Sequence, residues 1–236
     1  KVQDPYRFRC IPHVHGASRD TLTSAGRIIN NEINSVSDNP LVMDNGEVIS
    51  SGHFHGESVA QAMDMVAISM SEFGAISERR IHYFMKGVDG TLPPFMSMNP
   101  GLESGYMIAH VTASSLASEN KTLSHPASVD SLPTSGGQED QVSMAPWAGQ
   151  KALQIQNNVA TILAIELIVG LAAIKQIHKN LKPSIVTSSV YDLLKDEIHV
   201  DKGDRTLSQE IERVKNRILN GDVLKAINPI CKLESF

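Results

Sequence analysis

The chain has 236 residues, 41% of them hydrophobic, with a net charge of −5 at neutral pH and a pI near 6.0. That length accommodates one sizeable globular unit, or part of a core shared with further sequence, while the acidic balance leaves no basic excess for holding nucleic-acid phosphates or an anionic membrane. Binding of a small molecule is the reading that survives.

From the N-terminus, Lys1 to Tyr6 show neither the charged-then-apolar pattern of a secretory signal nor an initiator Met, so the chain is expected to be cut from something longer. Gln3, Tyr6 and Arg9 follow closely around Pro5. An amide, a phenol and a guanidinium together could grip an amino acid, because Arg pairs bidentately with a carboxylate and Tyr can exchange a proton with a reacting group. The same string also reads as a solvated chain start. Cys10 and Cys231 are too few for a disulfide framework and too far apart for a thiolate metal cluster, which points to a reducing compartment, the cytoplasm. His13-Val14-His15 and His53-Phe54-His55 have the spacing that lets alternate residues of a strand face one metal ion, the basis of a rival reading as a metal-dependent hydrolase. No Asp or Glu set of comparable spacing accompanies them, so no metal is expected. Asn39-Pro40 and the turn Asp44-Asn45-Gly46, between Leu41-Val42 and Val48-Ile49, predict a short β-hairpin.

Apolar residues at Val59, Met63, Val66, Met70 and Phe73 form one stripe of a helix predicted over Glu57 to Lys86. Pro93-Pro94 and the string Leu132 to Gly137 are breaks where helices stop. His125-Pro126 ends another helix after Lys121, and Ser128-Val129-Asp130-Ser131 suits a side-chain-stabilised turn. Gln138-Glu139-Asp140 can cap the helix that follows it, or Glu139 can face a cationic or hydrogen-bonding substrate ring. That following helix is predicted over Ser143 to Ile177. Its segment Val159 to Ile174 is apolar apart from Thr161, Gly170 and a central Glu166, too short and too costly for a bilayer, and so expected inside a bundle. Trp147 and the Met residues at helical spacing are expected in the core. Leu207, Ile211, Val214 and Ile218 predict a helix in the tail. The fold class is therefore all-α, a long-helix bundle with at most one short hairpin, residues 1–182 forming the bundle and its polar loops and residues 183–236 a helical tail. Dense mixed polar loops on such a scaffold are where binding and catalysis sit.

Several strings, taken in order, carry a resemblance. They are Val2-Gln3-Asp4-Pro5-Tyr6 with Arg9-Cys10, Asn34 with Ser37-Asp38-Asn39-Pro40-Leu41, Phe54-His55, Ser77-Glu78-Arg79-Arg80 and Leu92-Pro93-Pro94-Phe95. Ser118-Glu119-Asn120-Lys121, Ser128 to Ser135, and Gln138-Glu139-Asp140 with Val142-Ser143-Met144 complete the set. Together they resemble the aromatic amino acid ammonia-lyase and aminomutase family, most closely its histidine branch, over roughly the first two thirds of the chain; beyond about Lys182 the match is loose.

The resemblance implies a homotetramer whose active sites are each built from more than one subunit. It also implies elimination of ammonia from L-histidine to give trans-urocanate, with a methylidene-imidazolone electrophile formed from an internal Ala-Ser-Gly. That tripeptide does not occur here, and in the family it precedes the Gln-Asp-Pro-Tyr string, so the resemblance implies a C-terminal portion, inactive alone, that needs an N-terminal portion as partner. By the same resemblance Tyr6 and Glu139 are catalytic, and Gln3, Arg9, Phe54 and Gln138 bind substrate: Arg9 takes the carboxylate, Gln3 and Tyr6 flank the electrophile, Phe54 lines the pocket, and Glu139 meets the imidazole. The sequence departs from the family at His13, where Gln is usual, at His53, where Asn is usual, and at Gln141, where His is usual. A tyrosine or phenylalanine ammonia-lyase, a 2,3-aminomutase, and a non-catalytic helical scaffold associating through Val159 to Ile174 stay open as alternatives.

Overall fold

The computed structural model describes residues 2–88, 91–177, 182–199 and 203–232. Among them, eight α-helices and one two-stranded hairpin follow in the order α1 (Tyr6–Arg9), α2 (Ile11–Ile33), β1 (Leu41–Val42), β2 (Val48–Ile49), α3 (Glu57–Met85), α4 (Met107–Leu123), α5 (Ala145–Ile177), α6 (Ile185–Leu194), α7 (Ser208–Leu219) and α8 (Asp222–Ile227). The chain is mainly helical, as its patterning requires. The hairpin is antiparallel, with Leu41 opposite Ile49 and Val42 opposite Val48.

The helix axes can be read from side-chain partners. Asp64 on α3 meets Lys151 on α5, and further along Ser77 meets Glu166, so α3 and α5 run parallel. Between them α4 runs the other way, since Ser114 reaches Glu78 while Ser124 reaches Ser71. Antiparallel to α3 as well, α2 has His15 stacked edgewise on Phe73 and Glu32 at its far end bonded to Ser58. Small residues allow the close approach: Ala60, Ala67 and Gly74 on α3, and Ala109, Ala113 and Ala117 on α4, are all buried. A β-carbon on Gly74 would come within 3.1 Å of Val159 Cγ2, so the α3–α5 crossing leaves little room there.

The apolar second half of α5 forms the core, with Ile162, Ile165, Ile168 and Val169 fully buried among residues of α3, α4, α6 and α7. Each such side chain contributes about 1.5–3 kcal/mol on leaving water. By length and composition α5 would pass as a membrane span, but its apolarity is accounted for by this burial. Its one central carboxylate is also matched: Glu166 accepts hydrogen bonds from Ser77 Oγ at 2.6 Å and Arg80 Nη2 at 2.7 Å, and is also paired with Arg80 Nε. The tail is fastened by charge. Lys175 Nζ on α5 donates to the carbonyls of Lys195 and Ile198, both at 2.9 Å, where the end of α6 presents unpaired carbonyls. Arg205 grips Glu210 at 2.6 and 2.9 Å beside the buried ring of Tyr106.

Three sequence expectations are corrected. Trp147, expected in the core, is 48% exposed on the first turn of α5. The His-x-His pairs lie not on strands but on α2 and on a 3-10 turn, His53–His55. On α2 successive odd positions diverge, so His13 is exposed while His15 packs on Phe73. No cluster of three metal-ligating side chains occurs among the described residues. Finally, Glu139 caps no helix, because α5 begins only at Ala145.

Candidate active site

The six candidate residues fall into two patches rather than one wall. Tyr6 and Arg9 belong to α1, a single helical turn started by Pro5, whose fixed backbone suits a helix start. This turn is docked on the C-terminal part of α3: Arg7 Nη1 donates to the Arg79 carbonyl at 3.1 Å, and Phe8 meets the Tyr83 ring edgewise at 5.1 Å. With its neighbours so anchored, Tyr6 is 70% exposed, and the Arg9 guanidinium lies 4.6 Å from its ring centroid. The pair is a preformed cation–π unit that holds a guanidinium ready for a carboxylate. Gln3, just before this turn, is exposed on the same segment.

The second patch lies at the other end of α3. Phe54, 57% exposed, sits on the turn that leads into Glu57. The loop carrying Gln138 and Glu139 is tied to that turn, for His55 Nε2 donates to the Gln141 carbonyl at 2.7 Å and Ser143 Oγ donates to the His55 carbonyl at 2.6 Å. Glu57 and Arg79 mark the two ends of α3 involved; at about 1.5 Å per residue they are about 33 Å apart. One chain therefore does not bring Arg9 and Glu139 to the same substrate.

Within the second patch, the carboxylate is held in place. Thr134 Oγ1 donates to Glu139 Oε2 at 2.7 Å, and hydrogen bonds from Thr134 and then Ser135 hold the Glu139 carboxyl below the usual carboxylate range. Gln138, beside it, is exposed. Of the positions that depart from the family, His53 lies 4.0 Å from Glu32, and Gln141 takes part through its backbone carbonyl.

Sequence reasoning missed the clamp beneath this loop. Buried Asp64 accepts from the N–H groups of Ala127 and Ser128 at 3.0 and 2.8 Å, and Lys151, itself buried, stands 3.5 Å from it while also donating to the His125 carbonyl. A lone Asp amid the small and apolar residues of the α3 stripe was the available signal. Burial alone would raise the Asp64 carboxyl, but the N–H donors of Ser128 and Ala127 outweigh it and hold it below its ordinary value of 3.8. A depressed carboxyl stabilises the fold above its unfolded value and loses that contribution as pH falls through the folded one. Asp64→Asn is therefore expected to lower the melting temperature at neutral pH and to flatten the acid limb of stability below about pH 4, checked by thermal melts across pH.

A concavity of about 700 Å³ lies elsewhere, between α1, α3, α5, α6, α7 and α8, walled by Leu167, Ile174, Val186 and Val190, and it holds none of the six candidates.

Comparison with known proteins places the chain in a family. The family model described as aromatic amino acid lyase matches residues 1–196. Histidine ammonia-lyase of Caldanaerobacter subterraneus subsp. tengcongensis is 48% identical over 224 residues, 94% of this chain and 44% of the relative. The crystal structure of histidine ammonia-lyase from Trypanosoma cruzi superposes with a TM-score of 0.91 at 41% identity, over 96% of this chain and 45% of that one. Tyrosine aminomutase from Streptomyces globisporus superposes with a TM-score of 0.90 at 32% identity, over 99% and 45%. The chain thus spans less than half the length of the curated relatives it matches. With a match covering most of its length, the chain belongs to the aromatic amino acid lyase family.

Proposed function

We propose that the chain is the C-terminal portion of a cytoplasmic ammonia-lyase that converts L-histidine to trans-urocanate and ammonia, working with an N-terminal portion in a homotetramer. The observation that carries this reading is the complementarity of the two patches to the two ends of histidine. Arg9, stacked on Tyr6, suits the α-carboxylate, and the Glu139 carboxylate, held by Thr134, suits an imidazole N–H. Since one amino acid is far shorter than α3, the two patches that meet it come from different subunits. Exposed apolar residues on the outer faces of the bundle, Ile68, Ile108, Val111 and Leu153, support such association.

The family electrophile, methylidene-imidazolone, makes the amine a good leaving group when present. Its Ala-Ser-Gly precursor lies outside this sequence, and the exposed Gln3 and Tyr6 suit the flank of such a group. On this chain Arg9 fixes the carboxylate, Tyr6 offers its hydroxyl to the reacting end, Phe54 and Gln138 line the ring, and Glu139 orients it, while the β-proton leaves to a base on the other portion. Two unbridged cysteines suit a reducing compartment. A fold shared almost equally with an aminomutase leaves the substrate to these contacts, and the carboxylate of Glu139 favours imidazole over phenol.

The test is near-ultraviolet absorbance after adding L-histidine to this chain alone, to the N-terminal portion alone and to their mixture. Urocanate is expected from the mixture only. A folded mixture silent on histidine but active on tyrosine would reassign the substrate.

A further inference from the structure

Glu139 stands on a loop built to return upon itself. Ser135, Gly136 and Gly137 adopt left-handed backbone angles, with φ of 51°, 67° and 89°, and this turn brings Glu139 back against Thr134. The two backbones then pair in both directions: the Thr134 N–H donates to the Glu139 carbonyl at 2.8 Å, and the Glu139 N–H donates to the Thr134 carbonyl at 3.3 Å. The Thr134 hydroxyl adds the 2.7 Å bond to Oε2. Behind it, Ser131 Oγ both donates to the Val142 carbonyl at 3.0 Å and accepts the Val142 N–H at 2.9 Å, closing the base of the loop. An exposed glutamate would ordinarily sample many rotamers and lose that freedom on binding a ligand. Here the freedom is already removed, which lowers the cost of binding.

We infer that Thr134 is a positioning residue for Glu139, its hydroxyl, with the weaker support of the Ser135 side chain, fixing the carboxylate in the orientation in which it meets the ring N–H of an imidazole ligand. This rests on the reading that Glu139 meets the ligand ring. The main chain of Thr134 shapes the loop whatever its side chain, so the hydroxyl can be tested separately from the fold.

The experiment measures the Kd of urocanate by calorimetry in the assembled enzyme, this chain with its N-terminal portion, for wild type, Thr134→Val, Thr134→Ser, Glu139→Gln and Thr134→Val combined with Glu139→Gln. Loss of a hydrogen bond to a charged group predicts a Kd raised about tenfold in Thr134→Val. Thr134→Ser is expected within about twofold of wild type, and the double variant no weaker than Glu139→Gln alone, as coupled residues require. If Thr134→Val binds like wild type while Glu139→Gln is impaired, or if the two losses add, the inference is overturned and the role of Glu139 stands. Equal loss in the serine and valine variants would also overturn it, by assigning the effect to the methyl group. Should Glu139→Gln bind as wild type does, the underlying reading of Glu139 fails and takes this one with it. Thr134→Ala replaces the valine variant if that one does not assemble.

Discussion

Glu166→Ala is expected to lower unfolding free energy by about 3 kcal/mol, the scale set by breaking a buried ion pair on one side. The side chains of Arg80 and Glu166 are only 12% and 22% exposed. Removing the carboxylate strands the guanidinium and deprives Ser77 Oγ of its acceptor, in the middle of the α3–α5 contact. Coulomb attraction is not the main part of the loss; the uncompensated cation is. It follows that Arg80→Met combined with Glu166→Leu, which fills the same space with apolar atoms, should recover most of the loss, whereas either single change should not. Denaturant midpoints of the four proteins decide this. A Glu166→Ala protein as stable as wild type would mean that water already reaches the pair through the adjacent concavity, which Arg80 and Glu166 help to line.

The same pair shows what the sequence makes legible. A single Glu in an apolar run tells the reader that a partner is needed, but not which of the cations will reach it. Periodicity located α3, α5 and α7 because their stripes are large and apolar, such as Val59 to Phe73. It did not locate α2, whose stripe of Ile11, Val14, Ser18, Leu22, Ala25 and Ile29 is diluted by Ser18 and Ala25, both buried, and interrupted by Gly16 and Gly26. Helices packed through small residues have a weak apolar signal even though their contacts are close. Trp147 shows the converse: size and apolarity predict burial, yet the chain leaves it 48% exposed, on a face that the monomer does not cover. The candidate site residues are named by the family resemblance of their strings, since their types alone read as well as a solvated chain start and a helix cap. Their division into two patches was not legible, since it depends on the lengths and directions of helices between them and on the tie from His55 to Gln141.

That division carries the largest expected effect. On the proposed reading, Arg9→Ala and Glu139→Ala, each made in the assembled enzyme, are expected to lower kcat/KM for L-histidine by at least about 100-fold, since each would remove a charged contact to the proposed substrate. Mixed before assembly, the two inactive proteins should regain activity. A site that takes Arg9 from one subunit and Glu139 from another is intact when each donor happens to carry the unaltered residue, so about a quarter of the sites in randomly mixed oligomers should work. If both residues served a site from within the same chain, every site would lack one of them and mixing would restore nothing. The length of α3 forbids the second case: a substrate a few ångströms across cannot touch both ends of a helix that separates the patches by about 33 Å. Unfolding and reassembling equal amounts of the two variants, then following urocanate absorbance, distinguishes the outcomes. Recovery near a quarter fixes the composite site, and no recovery in correctly sized oligomers would mean that one of the two residues makes no contact with histidine.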